Sequence, residues 1–210
     1  EDVYGYGNPM RWVWELLRNA SETSEQKIDV QIELKGDKLR FTHNGGAFKL
    51  DEAISLIYQS TSKSSNEESR SGFGLMTTTL ISDSFTVNSY VNDKCINKKL
   101  KLRINRSHEN KEQMCKAIKK EIEKLRDSDN GILEMNDNPK TTFTFNLDKE
   151  NSVEVVNKGL ENLMENIKIL PFMNINSITL KVDGTVTKVE VGSIENARTN
   201  VDIHNISVNR

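Results

Sequence analysis

A chain of 210 residues with a formal net charge of −2 can bury a sizeable core, yet it offers no electrostatic footing for DNA, RNA or an anionic membrane. Hydrophobic residues make up 35% and charged residues 29%, a low apolar share that still suits a globular protein because the apolar positions are periodic. No run approaches the roughly 18 apolar residues of a membrane span, no signal-peptide layout is present, and Cys95 and Cys115 have neither CxxC spacing nor nearby histidines, so the cytoplasm is the expected compartment. His43, His108 and His204 are too scattered for a metal cluster. The start at Glu1 without a methionine and the strand-like run Val201 to Val208 at the end point to a piece of a longer protein.

Along the chain, Met10 to Ser21 carries a broad apolar stripe at helical spacing, with Pro9 at its start, where a missing amide hydrogen costs nothing. Lys27 to Leu34 alternates as a half-buried strand, and Gly36-Asp37 turns it into a second strand, Lys38 to Thr42. A short helix is expected over Leu50 to Tyr58, and a mobile, aperiodic loop from Gln59 to Ser71. Gly74 to Ile81 restarts a helix, followed by strands Ser84 to Val91 and Lys98 to Ile104. Glu109 to Leu125 reads as a charged surface helix with one apolar face. Thr141 to Leu147 is a strand, Ser152 to Leu170 a helix ended by Pro171, and Asp183-Gly184 a hairpin turn between Ile178 to Val182 and Val186 to Val191. Helices interleaved with antiparallel-capable strands predict a two-layer α/β sandwich, of α+β type, with a mixed sheet.

Three short stretches carry chemistry. Glu15 and Asn19 lie four residues apart, so on a helix they project from one face. A carboxylate that can take a proton from water then stands beside an amide oxygen suited to magnesium. Asparagine is a mediocre mid-helix residue, and if buried it needs a partner. Asn44-Gly45-Gly46 after His43 is either a tight turn or a place where backbone approaches a ligand while His43 or Asn44 faces a base edge. Gly72-Phe73-Gly74 opens a helix, where free amides and the positive dipole end favour anions. Lys63, on the aperiodic loop, is either solvated or within reach of phosphate.

In this order the three stretches resemble the N, G1 and G2 boxes of the GHKL superfamily of ATPases, which includes gyrase B, the heat-shock-ninety chaperones, histidine kinases and MutL. The first box there reads E-x-x-x-N-A, matched by Glu15-Leu16-Leu17-Arg18-Asn19-Ala20. The remaining stretches are closer to the heat-shock-ninety-like ATPase modules of large bacterial proteins and of sacsin. They are His43-Asn44-Gly45-Gly46-Ala47-Phe48, Ser60-Thr61-Ser62-Lys63, and Gly72-Phe73-Gly74-Leu75 with the tail Met76 to Ser82. The resemblance runs from about Trp12 to Leu147. It implies the Bergerat fold, with helices on one face of a mixed, largely antiparallel sheet, ATP between them, and a lid at 59–71. Residues 1–150 would form the ATP-binding domain, and 151–210 a C-terminal extension or the start of a next domain. It also implies a magnesium ion held by Asn19, a water oriented and deprotonated by Glu15, phosphates met by Gly72 and Gly74, and Thr141 near the adenine. Two positions depart from the pattern. The chaperones read the adenine amine with an aspartate, and His43 stands there instead, which implies weaker or less selective adenine recognition. Ser69 replaces the first glycine of the third box.

The function expected is magnesium-dependent ATP binding and slow hydrolysis, acting as a conformational switch in a larger bacterial protein, with antiphage defence as a biological setting. Other domains of the same chain, or a second copy in an ATP-driven homodimer, would complete the cycle. The alternative is a nucleotide-responsive scaffold with little or no hydrolysis, against which the retained Glu15 argues. A histidine-kinase-like phosphotransferase lacks a recognisable phosphoacceptor helix.

Overall fold

The computed structural model describes residues 8–49, 52–54, 56–57, 74–93, 96–107, 111–127 and 140–191. The expected lid at 59–71 and the strand-like run at 201–208 lie outside them, as do Cys95, His108 and His204. In chain order come α1 (Arg11–Ser21), β1 (Ile28–Lys35), β2 (Lys38–His43) and the short β3 (Phe48–Lys49). Helical residues 52–54 and 56–57 lead to a 3-10 helix, η1 (Gly74–Leu80). Then follow β4 (Ser84–Asp93), β5 (Ile96–Asn105), α2 (Lys111–Asp127), β6 (Thr141–Asn146), α3 (Ser152–Glu165), a second 3-10 helix η2 (Ile167–Phe172), β7 (Ile175–Val182) and β8 (Thr185–Glu190).

The eight strands form one mixed sheet, ordered β5-β4-β6-β2-β1-β7-β8, with β3 pairing the far end of β4. Most neighbours run antiparallel; β1 with β7 and β3 with β4 are parallel. Period-two alternation sends Ile28, Val30, Ile32 and Leu34 of β1, Leu39 and Phe41 of β2, and Phe143 and Phe145 of β6 to one buried face. The helices cover that face, giving a two-layer α/β sandwich. On the opposite face Thr42 and Thr142 join by their hydroxyls at 3.1 Å.

Two turns show how the backbone is steered. Gly36, at φ +56°, begins the two-residue turn between β1 and β2. Asp183 and Gly184 both take positive φ, 46° and 90°, the conformation a tight hairpin with matching strand twist requires. The expected helix Ser152 to Leu170 is instead two elements. α3 stops at Glu165, Asn166 leaves helical geometry at φ −109°, and the chain resumes as the 3-10 turn that contains Pro171. A proline is better tolerated in that short, tight turn than inside an α-helix, where its ring meets the carbonyl four residues back. The helix expected at Gly74 to Ile81 is likewise of the tighter 3-10 kind.

The chain past residue 150 adds to the sheet that the earlier strands begin. β7 pairs with β1 from Ile28↔Ile175 to Leu34↔Val182, so the C-terminal hairpin belongs to the same sheet. α3 packs on α1 through a glycine. A Cβ placed on Gly159 would lie 2.2 Å from Trp12 Nε1, and that indole donates to the Val155 carbonyl at 3.3 Å. Trp14 Nε1 donates to Asn162 Oδ1 at 2.8 Å, a second tie between the same helices. Alanine is intrinsically the better helix former by about 0.5–1 kcal/mol, but forcing a methyl against a buried indole costs about 1–3 kcal/mol. Gly159→Ala is therefore expected to lower the urea unfolding midpoint; a rise would show that the α1–α3 contact yields.

Candidate functional site

α1 turns its stripe of Trp12, Val13, Leu16, Leu17 and Ala20 into the core, and each of these is at most 2% exposed. The rest of the helix surface is left for Glu15 and Asn19, both of intermediate burial. Glu15 is clamped. Its Oε1 accepts from Arg11 Nη2 at 2.9 Å, and its Oε2 accepts from Arg18 Nη2 at 2.8 Å and Nε at 3.1 Å. Its side chain is only 13% exposed, so these are charge-assisted bonds in a partly desolvated setting. Asn19 is the opposite case. Among the described residues its side-chain amide has no hydrogen-bond partner. The expectation of a mid-helix asparagine in need of a partner thus meets an open amide, one turn beyond a carboxylate whose oxygens are already engaged.

The Asn44-Gly45-Gly46 segment packs against the protein's own chain. A Cβ on Gly45 would lie 2.0 Å from Thr23 Oγ1, and one on Gly46 would lie 2.7 Å from the Thr23 carbonyl oxygen. Thr23 closes the end of α1, its hydroxyl donating to Ala20 O at 2.7 Å. The glycines thus lock the turn after β2 onto the helix that carries Glu15 and Asn19. Asn44 does not share a face with His43. Its Oδ1 accepts from the Asp29 amide at 2.7 Å and its Nδ2 donates to the Asp29 carboxylate at 3.2 Å. Asp29 also accepts from Ser177 Oγ at 2.6 Å and Asn176 Nδ2 at 2.9 Å. These bonds, Ser177 first, hold its carboxyl below the usual range against a smaller opposing effect of burial.

His43 ends β2 on the helix-covered face, 2% exposed, opposite Thr141 of β6. Its ring stacks on Phe143 with centroids 6.5 Å apart and planes 21° apart. Thr141, 1% exposed, bonds Ser89 of β4 hydroxyl to hydroxyl at 2.6 Å; Ser89 is 5% exposed. Three polar side chains on adjacent strands therefore form a buried row at one end of an otherwise apolar face. Gly45 N donates to His43 Nδ1 at 3.2 Å, so Nδ1 is the acceptor nitrogen and the neutral ring carries its proton on Nε2. No described residue accepts from Nε2.

Phe48 lies in β3 beside Val91 and packs against the core. Gly74 opens η1, which packs on α1. Arg106 Nη2 donates to Thr78 Oγ1 of η1 at 2.9 Å while its guanidinium sits 4.8 Å over the Phe85 ring. Burial lowers its pKa to about 10 against the opposing pull of Asp83, so it stays charged at neutral pH. Lys63, Gly72, Phe73 and the side chain of Leu75 lie outside the described residues. Among the described residues no three His, Cys, Asp or Glu side chains converge as a metal site, and no helix is long and apolar enough to cross a membrane.

The structure thus ties Glu15 and Asn19 to His43 through Thr23 and Gly45, and sets His43 beside Thr141. Sequence reasoning missed Arg11, Arg18, Thr23 and Ser89. The arginines were available from their i,i+4 and i,i+3 spacing to Glu15. Ser89 had only its place in strand alternation. No protein-family model matches the chain, and no curated protein does.

The buried imidazole has a pH consequence. Burial pushes its pKa from 6.5 down to about 4, so between those values the unfolded chain binds the extra proton. The stabilisation from keeping His43 neutral is complete above pH 6.5 and lost as pH falls toward 4, by roughly 3 kcal/mol. Urea midpoints measured down this range should fall more steeply for the parent than for His43→Gln; parallel curves would contradict neutral burial.

Proposed function

We propose that the chain is a magnesium-dependent nucleoside triphosphate switch that binds ATP and hydrolyses it slowly to ADP and phosphate, as the GHKL resemblance implies. The observation that carries this reading is the open amide of Asn19, one helical turn from Glu15 and locked through Thr23 to the buried row His43, Thr141 and Ser89. An unpartnered, half-buried amide oxygen suits a hard cation, and magnesium commonly takes few protein ligands while phosphates and water complete its shell. Asn19 would hold that ion, which when bound offsets the negative charge of the phosphate oxygens.

Glu15 is the residue placed to orient a water and take its proton. In the structure Oε2 accepts twice from Arg18, while Oε1 accepts once from Arg11 and keeps a lone-pair site for a water. The arginines keep the carboxylate in one rotamer, which favours positioning. The same clamp favours the second reading, a nucleotide-responsive scaffold in which Glu15 is a structural ion pair and turnover is negligible. Other domains of a longer chain or a second copy would then transmit the bound state in either case. The Bergerat fold and a role in bacterial antiphage defence belong to this reading through the resemblance, and a cytoplasmic setting through the free cysteines.

Calorimetric titration with ATP, with and without magnesium, tests the core of the reading. Magnesium-dependent binding is expected, with Asn19→Ala weakening it about tenfold or more; equal binding with and without the ion would remove Asn19 from the ligand role. Glu15→Ala should keep binding and lower turnover by about 10²–10⁴-fold. Unchanged hydrolysis in that variant would favour the structural ion pair.

A further inference from the structure

His43 is a buried donor with a fixed tautomer. Its Nδ1 is taken by the Gly45 amide, so the ring offers only an N–H at Nε2, and no described residue accepts it. An N–H that no described protein group accepts, at an atom still open to approach, is best matched by a ligand acceptor. Its neighbours are less particular. The Ser89–Thr141 hydroxyl pair uses one proton internally, and either oxygen can be the donor. The pair keeps one free O–H and spare lone pairs, so it can donate to a ligand or accept from one. In a row of three polar groups, His43 alone imposes a direction.

We infer, on the nucleotide reading of this same site and dependent on it, that the row His43, Thr141 and Ser89 takes 6-oxopurine nucleotides in preference to the 6-aminopurine ATP. A 6-oxopurine presents a carbonyl oxygen at position 6 and an N–H at position 1. The carbonyl accepts from His43 Nε2, and the N–H donates to the Thr141 or Ser89 oxygen. Adenine presents the reverse pattern, an amine at position 6 and a bare nitrogen at position 1. The hydroxyls adapt to that nitrogen, but His43 sets a donor against the amine, and the Gly45 bond prevents the ring from offering Nδ1 instead. A carboxylate here would select the amine; a neutral imidazole held in this tautomer selects the carbonyl.

Inosine triphosphate isolates the effect, because it differs from ATP only in the position-6 and position-1 groups. The experiment is magnesium-dependent calorimetric titration of the 210-residue chain with inosine triphosphate and with ATP, repeated on Asn19→Ala and His43→Gln. Inosine triphosphate is expected to bind about tenfold tighter than ATP, the size of one mismatched buried hydrogen bond. Glutamine offers both a donor and an acceptor, so His43→Gln should bring the ratio toward one. Asn19→Ala should weaken both ligands equally. ATP binding as tightly as inosine triphosphate, or more tightly, overturns the selectivity while leaving the nucleotide reading standing. Failure of both ligands to bind overturns the two together. The ratio in the parent chain decides the matter even if His43→Gln does not fold.

Discussion

The depth at which α1 is seated governs everything at the candidate site. Trp12, Val13 and Leu17 are fully enclosed, and the two indole N–H groups are spent on Val155 and Asn162 of α3. Apolar burial alone would let a helix slide or roll by small amounts, since the hydrophobic effect is not directional. The indole hydrogen bonds are directional, and the Trp12–Gly159 contact leaves no room for a roll toward α3. The azimuth of Glu15 and Asn19 is therefore set by the contacts Trp12 and Trp14 make with α3. At its other end, Thr23 seats the Gly45–Gly46 turn, so one helix fixes both the open amide and the approach to His43.

The end of the sheet near His43 is divided by polarity between its two faces. On the helix-covered face sit the neutral imidazole and the hydroxyl pair. On the other, Asp29 of β1 gathers donors from Asn44, just past β2, and from Asn176 and Ser177 of β7. The charge stays on the more exposed side, where water screens it, and the enclosed side holds only neutral groups. Successive residues His43 and Asn44 belong to opposite sides of this division. The strand's alternation separates two residues that, read as letters, both looked fit to face a ligand.

How much was legible in the sequence follows the range of the interactions. Helical spacing placed α1 and its buried stripe, and the Asp-Gly pair placed the β7–β8 turn, because both signals are local. The sandwich itself followed from the alternation of helix and strand patterns. Nothing in Ser152 to Val191 announces that its hairpin returns to β1, because that pairing is set by register over a long separation. At the candidate site, Glu15, Asn19 and His43 were singled out by motif spacing and Thr141 by the resemblance. Thr23 and Ser89 were not, since a hydroxyl on a strand or at a helix end carries no pattern until its neighbours are known. Gly45 and Gly46 were open to two readings, a tight turn or room for a ligand; in the structure Thr23 packs against both.

The parallel pairing of β1 with β7 also orders events in the life of the chain. Asp29 and Asn176 bond across 147 positions, so the middle of the sheet closes only when nearly all described residues are available. Closing so long a loop costs entropy before any contact offsets it, and sheets built on distant pairings fold slowly. During synthesis β1 must wait with one edge bare, held on the other side by β2 alone. A nascent chain halted near residue 150 would display that edge to any neighbouring strand, so the β7–β8 hairpin acts as the chain's own edge guard, and it is the last of the described strands to arrive.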